Sequence, residues 1–315
     1  MAAVTEDRFV VRGGRAAMKT RERINFLVFL GPAIALMLFF LILPIVVDVV
    51  ISFTDMGASL KVTEFTTDQF KRILSGDRRL PGVILTTFLY VLGTLAVFNV
   101  TFALVLALVT TAIPKVSGGF FRAIWLLPRM SPSVLYILLW IWVIEATDFG
   151  LINQIGGAFG LPLVDLLSNS PLALIVVANG FIGASMGMII FTSAIRSVPE
   201  HLYHAARVDG AGALSIIRHI TLPAIRWPLG FITVYQTLSL LVSFEYILLL
   251  TKGGPFFDTM VYTLYIYKRA FESGQYAYGA ALSLVVIVIG MGVALLGWRL
   301  FDMKALLQEP RIEVQ

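Results

Sequence analysis

An all-α fold that crosses a membrane six times is the expectation for this 315-residue chain, and three observations carry it. Hydrophobic residues make up 58% of the sequence and charged residues only 14%, well below the roughly 25% of soluble domains. Six apolar runs are each long enough to cross about 30 Å of hydrocarbon at 1.5 Å per residue. The basic residues also segregate: of 24 Lys and Arg, fifteen fall on one side of the runs and eight on the other, with Arg129 inside a run. A surplus of apolar surface on this scale needs lipid around it.

The elements follow in order. Residues 1–24 form a polar, Arg-rich tail. A secretory signal competes for this region, but the first apolar run is too long and no small-x-small cleavage site follows it, which favours a signal anchor. The spans are expected at roughly 25–53, 82–112, 122–144, 171–195, 228–250 and 277–300, within a transmembrane domain of 25–304. The second exceeds one crossing, so it tilts or extends beyond the bilayer. A short tail, 305–315, closes the chain. The richer basic side includes Arg8 to Arg23, Lys115, Arg196, Arg207 and Arg299. Both tails and the loop of about 196–227 are therefore expected in the cytosol.

Several function classes are excluded. With no cysteine, the chain has no disulfide framework and no thiolate site. Its histidines, His201, His204 and His219, share one polar loop without zinc-ligand spacing. Neither a Gly-x-x-x-x-Gly-Lys-[Ser/Thr] phosphate cradle nor His-Glu-x-x-His occurs, so the chain itself is expected to bind no metal or nucleotide and to be no enzyme. The net charge of +5 reads as membrane orientation rather than nucleic-acid binding.

The polar interruption from Pro199 through Glu200, His204, Ala205, Ala206 and Asp209 to Gly210 is the most informative stretch. Ser197 and Glu200 have capping-box spacing, with Pro199 inside the first turn of a short helix. Ala205 and Ala206 give that helix a small-residue face, and Gly210 can take the left-handed conformation that ends it. Downstream, Ile220, Leu222 and Pro223 start the next segment, which the proline limits. The reading is a short, cytosolic docking helix.

Ala205-Ala206, Gly210, Ile220 and Leu222-Pro223 match the "EAA" loop of binding-protein-dependent ABC importer permeases, which this chain resembles. His204 stands where that family usually has Glu, and Gly212 where Ser or Ala is common. Further blocks resemble its carbohydrate-uptake branch: Phe121-Arg122, Leu127-Pro128, Trp140, Trp142 and Phe149-Gly150-Leu151-Ile152-Asn153. Gly253-Gly254-Pro255, with Thr259 and Tyr276 to Ser283, is similar to the first of two unlike subunits in maltose- and glycerol-phosphate-type systems. The resemblance spans roughly residues 25 to 300. It implies a six-helix type I importer permease of the bacterial inner membrane with a cytosolic coupling helix. The implied partners are a second permease, a cytosolic ATPase dimer that binds ATP and Mg, and a periplasmic or lipid-anchored solute-binding protein. A sugar or sugar derivative is the implied substrate.

Polar residues inside spans are informative because lipid penalises them. Gln236, Ser239 and Ser243 recur along one stripe of the fifth span, beside Leu240. Asn179, Gly183 and Met186 share a face of the fourth. The resemblance puts a sugar-contacting surface there, and neutral amides and hydroxyls suit a polyol; hydrogen bonding between helices is the other reading. Asp48, Glu145 and Glu245 sit near outer span ends, where snorkelling is cheap. Arg129, between Pro128 and Pro132, either snorkels or serves as counter-charge for an anionic ligand. The aromatics Phe256, Phe257, Tyr262, Tyr265, Tyr267 and Phe271 read as an interfacial belt or a sugar platform. An ion-coupled transporter would need mid-membrane carboxylates, and a non-transporting scaffold would need only interhelical glue.

Overall fold

The computed structural model describes residues 20–301. The expected tails, 1–24 and 305–315, lie outside it except for the start of the first helix. The chain divides between Val50 and Ile51 into two units. The first holds most of helix α1 (Thr20–Ser52), apolar on every face although it contains Pro32 and Pro44. The second unit contains all other elements.

In that unit, α2 (Leu80–Ala112) runs unbroken for 33 residues, about 50 Å at the α-helical rise. Its middle, Thr94–Phe102, is wound as a π-helix. Next come α3 (Lys115–Met130), α4 (Ser133–Ile144), the central α5 (Pro171–Arg196), the short α6 (Glu200–Val208), α7 (Arg226–Val242), α8 (Glu245–Leu250), α9 (Tyr262–Tyr267) and α10 (Tyr276–Leu300). Among the described residues, α1, α2, α5 and α10 are single helices long and apolar enough to span a bilayer.

The other two expected spans are interrupted. The run 122–144 bends by 100° between α3 and α4. Pro132 forces the residue before it out of the helical region, and Ser131 is extended, at φ −79° and ψ 147°. The run 228–250 breaks where Ser243 is extended, at φ −76° and ψ 122°. Other elements supply polar partners there: Thr263 Oγ1 donates to the Leu241 carbonyl at 2.6 Å, and Asn179 and Tyr90 reach the Ser243 hydroxyl. A broken helix is tolerated at membrane depth when its freed groups find such partners.

Helix α5 is the centre of the fold, with fourteen of its 26 residues buried. Its glycines let α2 approach almost to backbone contact. A Cβ on Gly180 would meet the Phe98 ring, one on Gly183 the Asn99 side chain, and one on Gly187 the Asn99 carbonyl oxygen at 2.7 Å. Small residues permit this separation, and in lipid it is dispersion rather than hydrophobic burial that rewards it. One apolar cluster packs around Tyr90, Tyr136, Ile175 and Leu264, and a second around Ala103, Ala184, Phe191 and Ile232. Tyr262 and Tyr265, expected in an interfacial belt, are instead buried in the first cluster, whereas Phe256 and Phe271 are exposed.

The Phe149–Asn153 block closes the turn after α4. Asn153 accepts from the Val164 backbone nitrogen at 2.9 Å and donates to the Val164 and Glu145 carbonyls. A side chain on Gly150 would collide with the Glu145 carbonyl. The Gly-Gly-Pro turn is tied similarly: Thr259 Oγ1 bonds to the Gly254 carbonyl at 2.7 Å, and Gly253 has φ +85°.

Candidate functional site

A cavity of about 280 Å³ lies between α2, α3, α5 and α7. Its lining includes Asn99, Arg129, Asn179, Ile182, Gly183, Gln236, Ser239, Leu240, Ser243 and Tyr246. Six of the seven residues picked out on the fourth and fifth spans therefore meet at one place. Met186 does not: it lies seven residues beyond Asn179, about 10 Å along the axis, and packs against the second apolar cluster.

The cavity walls are held by hydrogen bonds between helices. Gln236 Nε2 donates to the Gly183 carbonyl at 3.0 Å, joining α7 to α5. Asn179 Nδ2 donates to the Tyr90 hydroxyl and, at 3.3 Å, to Ser243 Oγ. Buried amides without such partners would each cost about 1–3 kcal/mol. The ligand-lining and interhelical readings thus fall on the same side chains. Asn99 and Tyr246 belong to the site as well. An amide inside an apolar run was the available signal for Asn99, whose Oδ1 is buried without a donor among the described residues.

Arg129 is the cation of this cavity. It occupies the last turn of α3, brought there as the chain turns away at Ser131 and Pro132. Arg129 is exposed there, at the end of the helix that bends away two residues later.

A second cavity, about 400 Å³, is lined by residues of the Gly-Gly-Pro turn and by Arg79, Lys252, Lys268, Arg269 and Glu272. Behind it, Asp77 Oδ2 accepts from the hydroxyls of Tyr265 at 2.5 Å and Tyr278 at 2.6 Å, and Arg269 lies 3.9 Å away. Burial pushes the Asp77 carboxyl up, but these hydrogen bonds and the Arg269 charge outweigh it and hold the group below the usual carboxylate range.

The third feature is α6, between α5 and α7. Pro199, Glu200, His204, Ala205, Asp209 and Gly210 are exposed, and Ala206 is half-buried. The N-terminus departs from expectation. Ser197 Oγ turns back to the Ala194 carbonyl at 2.8 Å, finishing α5, and Pro199 (ψ 128°) precedes α6 instead of entering its first turn. The C-terminus follows expectation. Gly210, at φ +77°, donates to the Arg207 carbonyl, and Ala211 donates to that of Ala206 at 2.9 Å. This is a Schellman closure, for which the positive φ favours glycine. Tyr203 and Thr221 join hydroxyls at 3.3 Å, tying α6 to the segment of Ile220, Leu222 and Pro223. Pro223 cannot donate to the carbonyl four residues earlier, and the helix there widens into a π turn, Ile217–Thr221.

The family of binding-protein-dependent transport system inner membrane components matches residues 99–299, covering both cavity-forming helices α5 and α7 together with α6. This chain belongs to that family. It is an integral membrane permease component, and its relatives agree. A probable ABC transporter permease of Pyrococcus horikoshii is 28% identical over 85% of this chain and 92% of its own length. The diacetylchitobiose uptake system permease NgcF of Streptomyces coelicolor is 27% identical over 90% of this chain and 85% of its own. A subunit of a bacterial alginate ABC transporter, solved in complex with an alginate-bound periplasmic protein, superposes with a TM-score of 0.77 over 88% of this permease and 93% of its own chain. At 23% identity, that likeness shows the type I importer permease fold.

Proposed function

We propose that this permease is the first of two unlike membrane subunits of an ATP-driven importer, and that it carries a sugar through the 280 Å³ cavity. Relatives named for diacetylchitobiose and galactooligosaccharide transport support a saccharide. So does a lining of amides and hydroxyls, which donate and accept hydrogen bonds without the cost of several buried charges.

The observation that carries the reading is connectivity. The exposed helix α6 lies in the connection between the two helices that wall the cavity, following α5 (Asn179, Gly183) by a few residues and tied through Tyr203 and Thr221 to the segment that leads into α7 (Gln236, Leu240). A partner that grips α6 through Ala205 and Ala206 therefore holds both walls. In this reading Pro199 to Gly210 and Ile220 to Pro223 form the ATPase-coupling surface, in the cytosol together with both termini. ATP and Mg bind to the ATPase dimer. A periplasmic or lipid-anchored binding protein delivers the sugar from the other side, and the two permeases together form the path. The two states of the importer must differ in their contacts with α6 for nucleotide to bias them.

Deleting Ala205-Ala206-Arg207 in the reconstituted complex is expected to abolish sugar-stimulated ATP hydrolysis. Gln236→Ala is expected to lower uptake while the ATPase still assembles. Uptake that persists without ATP would overturn the reading in favour of ion-coupled transport. Labelling of Tyr203→Cys from the outer compartment of sealed vesicles would overturn the orientation.

A further inference from the structure

We infer that the saccharide passing through the central cavity is anionic, bearing a carboxylate, sulfonate or phosphate, and that Arg129 is its counter-charge; this rests on the sugar reading above.

Apart from Arg129, the cavity lining is uncharged. Arg129 takes part in none of the ion pairs or hydrogen bonds found among the described residues. The acid that follows the α7 break, Glu245, does not line the cavity and accepts a 2.5 Å hydrogen bond from Ser133 Oγ. The C-terminal end of α3 offers Arg129 a partial negative charge. That compensation leaves the guanidinium fork, which suits the planar oxygens of a carboxylate or the oxygens of a sulfonate or phosphate, without a bidentate partner. Neutral groups around it, such as Asn179, Gln236 and Ser239, remain for ring hydroxyls.

The second cavity repeats the sign of charge. Arg79, Lys252, Lys268 and Arg269 face it against Glu272. Lys268 pairs with Glu272 at 3.5 Å and Arg269 approaches Asp77, so Arg79 and Lys252 keep positive charge without an acidic partner among the described residues. Cavities of one sign concentrate ligands of the other.

The test uses the importer reconstituted with its partner subunits in proteoliposomes. Uptake is measured for matched probes: glucose with glucuronate and glucose 6-phosphate, galactose with galacturonate, and quinovose with its 6-sulfonate. At least one acidic probe is expected to exceed its neutral twin by about tenfold or more, with Arg129→Gln erasing the preference and Arg129→Lys keeping part of it. Neutral probes taken up as well as acidic ones, and unchanged by Arg129→Gln, would overturn the anionic assignment while leaving the sugar reading intact. Because the native chain has no cysteine, Arg129→Cys gives this subunit a single thiol. That thiol is expected to react with charged thiosulfonates added to the cavity. A thiol inert from both sides overturns the placement even in a variant that no longer transports.

Discussion

The seam between α2 and α5 and the short helix α6 use small residues for opposite purposes. At the seam, Gly180, Gly183 and Gly187 bring two helices to near backbone contact, and the amide of Asn179 is tied to Tyr90 and Ser243. On α6, Ala205 stands exposed with no neighbour across from it. At the seam small residues mark a contact made within the chain, and on α6 they are the surface that the proposed coupling would use. Burial tells the two apart.

That contrast is broken most directly by enlarging the seam. Gly187→Leu would drive a side chain into the Asn99 carbonyl at 2.7 Å and the Ala103 methyl at 2.8 Å. Overpacking of this kind costs about 1–3 kcal/mol and more where backbone must move, so the melting temperature of the detergent-purified complex should fall sharply. Asn179→Leu leaves the Tyr90 and Ser243 hydroxyls short of a donor, with an expected loss of about 1–2 kcal/mol in the same measurement. An unchanged melt in both variants would mean that the seam is not a stabilising contact.

Away from the seam, Asp77 sharpens the comparison through pH. Its carboxyl titrates below the ordinary 3.8 in the folded protein. The stability it contributes is therefore complete above that value and is lost as the pH falls through the lower, folded one. The melting temperature of the native permease should drop as the pH falls below about 3.8, and Asp77→Asn should be less stable at pH 7 but lack that Asp77-dependent part of the drop. The smallest effect belongs to α6: Gly210→Ala, strained at φ +77°, should cost about 1 kcal/mol. It should appear as faster amide exchange confined to residues 205–211, with little change in the global melt.

Much of the architecture was legible because lipid imposes a plain rule: four expected spans return as single helices within a few residues of their expected ends. The bend at Ser131 was written in Pro128 and Pro132, although a continuous crossing was expected there. The break at Ser243 was not legible, since no proline or glycine marks it and its partners, Thr263, Tyr90 and Asn179, come from distant parts of the chain. Ser197 misled because a hydroxyl followed three residues later by Glu suits a helix start, yet the same hydroxyl can close the helix before it. At the cavity, Asn179, Gly183, Gln236, Ser239 and Ser243 were found as polar or small interruptions of apolar runs, with Leu240 beside them. Asn99 lay in a run treated only as an over-long span, and Tyr246 carried no signal of its own.

Glycine-lined contact between α2 and α5 has a mechanical corollary. Two rods that touch through their main chains have no side-chain cushion to slide on, so they must travel as one beam. Whatever opens and shuts the passage has to pivot elsewhere, and the chain offers two ready joints, at Ser131-Pro132, two residues past Arg129, and at Ser243-Phe244, where Ser243 itself lines the chamber.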